Sequence, residues 1–113
     1  MRCKPLRKQY IDNMNVTINK QDEKTLVTLD GRIDSTNADQ FQRDVAPLME
    51  GENPDINIDC TDMTYTSSQG LRVFLLLQKS VMARNGKMVM CNMNPRVKDV
   101  FDITGFSNII TIV

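Results

Sequence analysis

The chain has 113 residues, room for one domain and not two. Fourteen Lys and Arg balance fourteen Asp and Glu, so no net field draws it to nucleic acid or to an acidic membrane. With no His, no Trp and 5% aromatic residues, Ser-His-Asp and Cys-His nucleophile pairs, HExxH zinc sites and base-stacking platforms are excluded.

Residues 1–13 set Arg2, Lys4, Arg7 and Lys8 against Asp12 alone and show no regular pattern. They read as a loose N-terminal extension ahead of a single domain at 14–113. No apolar h-region opens the chain, and the longest apolar run is Val73 to Leu77, so neither a signal peptide nor a membrane segment is expected. Cys3, Cys60 and Cys91 form no CxxC pair. They read as reduced thiols of a cytoplasmic protein, with Cys60 and Cys91 acting as small buried hydrophobes.

Val16 and Ile18 alternate with polar residues, and Leu26, Val27 and Leu29 make a second apolar segment beyond a polar turn at Lys20 to Lys24. The two segments predict a β-hairpin. After Gly31, helical spacing sets in with Ala38, Phe41, Val45 and Leu48. Ser35 or Thr36 is the expected cap, and Thr36 with Asp39 has the spacing that satisfies orphan amides. Gly51 to Asp55 is a break. Ile56, Ile58 and Cys60 predict a third strand, and Asp62 to Ser67 a loop. A long helix is expected from Ser68 to Arg84, with Leu71, Phe74, Leu75, Val81 and Met82 as its apolar positions and Asn85-Gly86 as its stop. Met88 to Cys91 is a fourth strand. Asn94-Pro95 opens a short third helix through Val97, Val100, Phe101 and Gly105, and Ile109 to Val113 is a last strand. Met82, Met88, Met90 and Met93 read as core filler. The order β-β-α-β-α-β-α-β predicts an α/β fold with a mixed, mostly parallel sheet packed with helices.

In such a sheet, ligands and partners gather where loops leave the C-terminal ends of parallel strands. Two loops stand out there: Gly31-Arg32-Ile33-Asp34-Ser35-Thr36 before the first helix, and Tyr65-Thr66-Ser67-Ser68-Gln69-Gly70 before the second. A helix N-terminus offers free N–H groups and partial positive charge. Spacing alone leaves Ser67 and Ser68 open to two roles, a plain N-cap or a hydroxyl that accepts a phosphate and repels a partner. Other chemistry finds less support. No GxxxxGK[ST] or GxGxxG run is present, so no nucleotide cradle or cofactor is expected. Asp59 and Asp62 could hold a divalent cation, but two carboxylates by a turn are more often solvated or capping, and no metal is expected. Val73 to Leu77 places apolar residues on nearly every face of the second helix, which means burial on several sides or an exposed docking patch.

Gly31-Arg32-Ile33-Asp34, Ile56-Asn57-Ile58-Asp59-Cys60, Tyr65-Thr66-Ser67-Ser68-Gln69-Gly70-Leu71 and the segment from Met88 to Phe106 together resemble the STAS domain family. Within it, the likeness is to bacterial anti-sigma factor antagonists, and it spans about residues 14–113. The resemblance implies a non-enzymatic regulator of transcription that works by partner switching. Such a domain binds an anti-sigma factor that is itself an ATP-dependent serine kinase, and so frees a sigma factor. Phosphorylation of one serine at the start of the second long helix releases it, and a metal-dependent serine phosphatase resets it. By position, Ser68 matches the phosphoacceptor, with Ser67 as the alternative, and Asp34 matches an acidic docking residue. The partner-binding surface so implied comprises Asp34, Ser35, Thr66, Ser67, Ser68, Gln69, Gly70, Leu71 and Arg72. Ser67 stands where the family has Asp, and Gln69 where it has a second Ser. With the apolar second helix, that departure motivates an alternative reading: a STAS scaffold subunit of a lipid-transport or sensory complex, without a phosphoswitch.

Overall fold

The computed structural model describes residues 15–113; the extension expected at 1–13, with Cys3, lies outside them. Strand β1 (Asn15–Gln21) turns back on β2 (Lys24–Ile33) as an antiparallel hairpin. Asp22 supplies the left-handed residue of the tight turn, at φ 54, a conformation Asp tolerates better than most. Strands β3 (Asp55–Thr66), β4 (Lys87–Cys91) and β5 (Thr111–Ile112) follow. The sheet runs β1-β2-β3-β4-β5, with every pairing after the hairpin parallel. Helices α1 (Ala38–Val45), α2 (Ser68–Ala83) and α3 (Pro95–Ile103) provide the crossovers, in the order expected from the sequence.

Period-2 alternation buries Val27 and Leu29 of β2, Ile56, Ile58 and Cys60 of β3, and Met88 and Met90 of β4 in one core. The helices meet over that core through a row of rings. Phe41 of α1 lies 5.3 Å from Phe74 of α2, edge to face, and Phe74 lies 5.8 Å from Phe101 of α3. Val73, Phe74 and Leu77 are buried, Leu75 is half-buried and Leu76 is exposed. The apolar stretch of α2 is therefore mainly core. Met82 departs from the core-filler expectation at 62% exposure, whereas Met93 is partly buried against the core. Cys60 is fully buried and Cys91 half-buried. Desolvation, assisted by Cys91 and Asp59, pushes the Cys60 thiol up to about 12.

Several boundaries differ from the sequence expectation, each for a local reason. The pairing of β2 with β3 continues past two register shifts, between Thr28 and Asp30 and between Gly31 and Arg32, and Gly31 takes φ 118 there. Both strands run on into what read as loops, to Ile33 and Thr66. Extra residues change the burial spacing, so Cys60, Met63 and Thr66 face the core at every third position and not every second. Helix α1 stops at Val45 and tightens into a 3-10 turn, Ala46–Met49, because Pro47 cannot donate to the helical ladder. Helix α3 ends at Ile103 and not at Gly105, which turns left-handed at φ 83. A second 3-10 turn, Phe106–Asn108, takes up the chain before β5, leaving two strand residues where five were expected.

At the far end of α2, Asn85 takes the left-handed stop at φ 61, and Gly86 N donates back to Val81 O at 2.9 Å, as Asn85-Gly86 predicted. Arg84 reaches across to the chain after α1. Its guanidinium donates to the carbonyls of Leu48 (2.7 Å), Glu50 (2.6 Å) and Gly51 (3.1 Å).

Candidate functional site

The C-terminal ends of β2 and β3 deliver two segments to one edge of the sheet. The first follows Ile33. The Asp34 carboxylate accepts from Thr36 N at 2.9 Å and from the Thr36 hydroxyl, which folds the segment into a tight Asx turn. Thr36 is thereby used, and the expected Thr36–Asp39 capping pair does not form. Asn37, not Ser35 or Thr36, occupies the cap position of α1. Its side chain is buried and clamps the turn: Asp34 N donates to its Oδ1 at 2.8 Å, and its Nδ2 donates to Arg32 O at 2.9 Å. The Thr36 hydroxyl and amide, aided by Arg32 with Nε 3.5 Å away, hold the Asp34 carboxyl below the ordinary carboxylate range. Asp34 is thus a fixed, ionised carboxylate at the sheet edge.

The second segment is the junction of β3 with α2. Ser67 N donates to Ile33 O at 2.9 Å and ties it to the first. Ser67 is the N-cap of α2, with extended backbone and its Oγ accepting from Gly70 N at 3.3 Å. Ser68 is the first helical residue. It is exposed, and its hydroxyl donates only to the neighbouring Gln69 Oε1, at 3.3 Å. The two hydroxyls therefore differ: one is half-buried and holds the helix end, and the other faces outward.

Gly70 explains how the junction packs so closely. A Cβ there would stand 2.4 Å from Thr66 Oγ1 and 2.9 Å from Ile33 Cγ2, so only glycine lets α2 begin directly on β2 and β3. Of the nine expected partner-binding residues, Ser35, Ser68, Gln69 and Arg72 are exposed, and Asp34 and Ser67 half-exposed. Thr66, Gly70 and Leu71 are buried and support the edge from beneath. Asn94 brings α3 to the same region: its Nδ2 donates to Met63 O at 2.9 Å, and its Oδ1 accepts from Val97 N at 2.9 Å.

Three residues given no role from sequence belong to this edge. Arg32 and Tyr65 are cross-strand neighbours, and the guanidinium stacks 5.0 Å from the ring centroid while pairing with Asp34. Tyr65 stays 45% exposed and so offers an aromatic face beside the fixed carboxylate. Asn37 is the third; Asn in a loop entering a helix is a sequence signal for such a clamp. Among the described residues no group of three or more His, Cys, Asp or Glu side chains is arranged to hold a metal. Asp59 is engaged by Thr61 and Asn92. A recess of about 630 Å³ lies at the opposite end of the strands, lined by Gln21–Lys24, Asn53–Asp55 and Asn85–Lys87.

Comparison with known proteins agrees with this architecture. The family model for the STAS domain matches residues 15–113. BtrV of Bordetella bronchiseptica, named as an anti-sigma factor antagonist, is 34% identical over 96 residues, 85% of this chain and 83% of that one. An anti-sigma-B factor antagonist of Bacillus subtilis is 33% identical over 100 residues, 88% of this chain and 91% of its own. The structure of the anti-sigma factor antagonist SpoIIAA in its unphosphorylated form superposes with a TM-score of 0.72 at 17% identity, covering 88% of each chain. The chain belongs to the STAS domain family.

Proposed function

We propose that this member of the family is an anti-sigma factor antagonist that switches partners. Unmodified, it binds a serine-kinase anti-sigma factor through the Asp34 turn and the first turns of α2; phosphorylated at Ser68, it is released. The observation that supports this most directly is the separation of roles at the α2 junction. Ser67 caps the helix through Gly70 N, which leaves the exposed Ser68 hydroxyl available without loss of the cap. Transfer of the γ-phosphoryl group of ATP to Ser68 Oγ, with the hydroxyl proton leaving to the kinase, needs no catalytic group on this chain. It adds nearly two negative charges at a helix start, where the dipole tolerates them. Asp34 already fixes one negative charge on the same edge, so a partner that fitted the neutral serine meets repulsion. A metal-dependent serine phosphatase would restore the binding form, and the cycle belongs in the cytoplasm. The names of BtrV and of the Bacillus subtilis relative point the same way.

The test is incubation with a serine-kinase anti-sigma factor and ATP, followed by mapping of the mass gain and measurement of affinity. The phosphate is expected on Ser68; Ser68→Ala should keep binding and escape release, and Ser68→Glu should bind at least ~10-fold more weakly. Phosphate on neither serine, or equal affinity for all three forms, would sink the switch. One feature favours a second reading, a scaffold subunit of a lipid-transport or sensory complex: position 67, where the resemblance implies an acidic residue before the phosphoserine, is Ser here. Copurification with an ATPase subunit, together with indifference of every interaction to Ser68→Glu, would support that reading.

A further inference from the structure

The cation nearest to Ser68 along α2 has no partner among the described residues. Arg72 is exposed and has no hydrogen bond, ion pair or ring contact among the described residues. It stands four residues after Ser68, which on a helix is the same face one turn on, with Cβ atoms about 5–6 Å apart. Nothing on α2 competes for it, because the sequence from Ser68 to Ala83 contains no Asp or Glu. Arg32, the arginine of the adjoining turn, is already paired with Asp34 and stacked on Tyr65.

We propose that Arg72 reads the modification: a phosphate on Ser68 captures its guanidinium, so phosphorylation removes from the docking edge the one cation that the first two turns of α2 present to a partner. The inference rests on Ser68 being the phosphoacceptor. An anion preceding a cation by four residues is the favourable orientation on a helix, since it also suits the helix dipole. A guanidinium holds two phosphate oxygens through two parallel N–H bonds in a planar fork, whereas a lysine ammonium acts as a compact point charge without that geometry. The switch then has two parts. The edge gains negative charge, and a carboxylate on the partner that faced Arg72 loses its counter-charge.

The experiment uses the full chain with phosphoserine installed at position 68 during synthesis, so that no kinase is needed. The probe is the ³¹P resonance, titrated with pH in the otherwise unchanged protein and in Arg72→Gln and Arg72→Lys variants. An exposed ion pair of this spacing carries about a twofold preference for the charged form. The second phosphate ionisation should therefore lie at least about 0.3 unit lower with Arg72 than with Arg72→Gln, with Arg72→Lys between them. Equal titration in all three overturns the capture. In a second arm, Arg72→Gln should weaken binding of the unmodified chain to its kinase-type partner severalfold and shrink the further loss caused by phosphorylation; no change in either quantity overturns the docking half. If a kinase instead marks another residue, the ³¹P titration of the installed phosphoserine still decides whether the pair forms. Failure of the phosphosite and failure of the inference are thus told apart.

Discussion

Gly70→Ala sets two well-calibrated effects against each other. Gly70 lies within α2 on its third residue and has no left-handed backbone to protect. Helix propensity alone therefore favours alanine by about 1 kcal/mol. Packing opposes it. The added Cβ would meet Thr66 Oγ1 at 2.4 Å, Ile33 Cγ2 at 2.9 Å and Ile33 Cβ at 3.1 Å. Rotation of the Thr66 hydroxyl can relieve the first contact at the loss of its bond to Ser67 O. Relief of the other two requires movement of Ile33, which is fully buried at the end of β2, or of α2 itself.

Overpacking of this kind costs about 1–3 kcal/mol, and the two Ile33 contacts place the cost toward the upper part of that range. The net expectation is a destabilisation of about 1–2 kcal/mol, or roughly 5–15 °C in Tm for a domain of this size, measured by thermal and urea unfolding of both proteins. Thr66→Ala removes one of the clashing atoms, so the double variant should be more stable than the sum of the two single changes implies. A Gly70→Ala protein as stable as the parent would refute the argument that close approach, and not chain flexibility, demands glycine at the α2 junction.

Three further outcomes follow from the same geometry. Arg84→Ala removes a guanidinium that serves four carbonyls, those of Leu48, Glu50, Gly51 and Ser80, so urea unfolding should show a loss of about 2 kcal/mol, with Arg84→Lys recovering less than half because one ammonium cannot span them. Asp34 titrates below its ordinary value of 3.8, chiefly through the Thr36 hydroxyl. The turn's contribution to stability is then complete above 3.8 and lost as pH falls through the depressed value; an NMR midpoint at or above 3.8, or no rise in that midpoint on Thr36→Val, would contradict it. Ser67→Ala removes the cap that accepts from Gly70 N and should cost about 1 kcal/mol, whereas Ser68→Ala should change thermal stability little, and a reversed ranking would exchange the roles assigned to the two serines.

The sequence was most informative where a single period governs burial. Val27 and Leu29, or Ile56 and Ile58, alternate because a flat strand leaves one face to the core, and Asn85-Gly86 and Asn94-Pro95 mark helix ends by chemistry that acts within a few residues. It was least informative where partner strands shift register. Met63 and Thr66 are strand residues, but their spacing follows bulges that exist only because β2 lies alongside, and a one-dimensional pattern cannot report a neighbour's register. The cap of α1 failed for a related reason. Ser35, Thr36 and Asn37 are all acceptable caps by propensity, and the choice fell to Asn37 because Asp34 had already drawn Thr36 into its turn. Arg32 and Tyr65 gained their roles through pairing across strands 33 residues apart in sequence, which no local motif encodes.

Ser67, where the resemblance to the family implies an acidic residue, fits this local physics. Aspartate and serine both cap helices through a side-chain oxygen that accepts from an amide two or three residues on, and Ser67 does so toward Gly70 N. The helix start is therefore preserved without the carboxylate. What changes is the charge beside Ser68. An aspartate next to a phosphoserine would set like charges side by side and raise the cost of modification, whereas a neutral cap lowers that cost and leaves Asp34 as the fixed negative charge on the adjoining turn. If Ser68 is the phosphoacceptor, as proposed, a kinase has no carboxylate at position 67 with which to align its target, and presentation falls to the Asp34 turn, the Tyr65 ring and Arg72, which has no partner among the described residues.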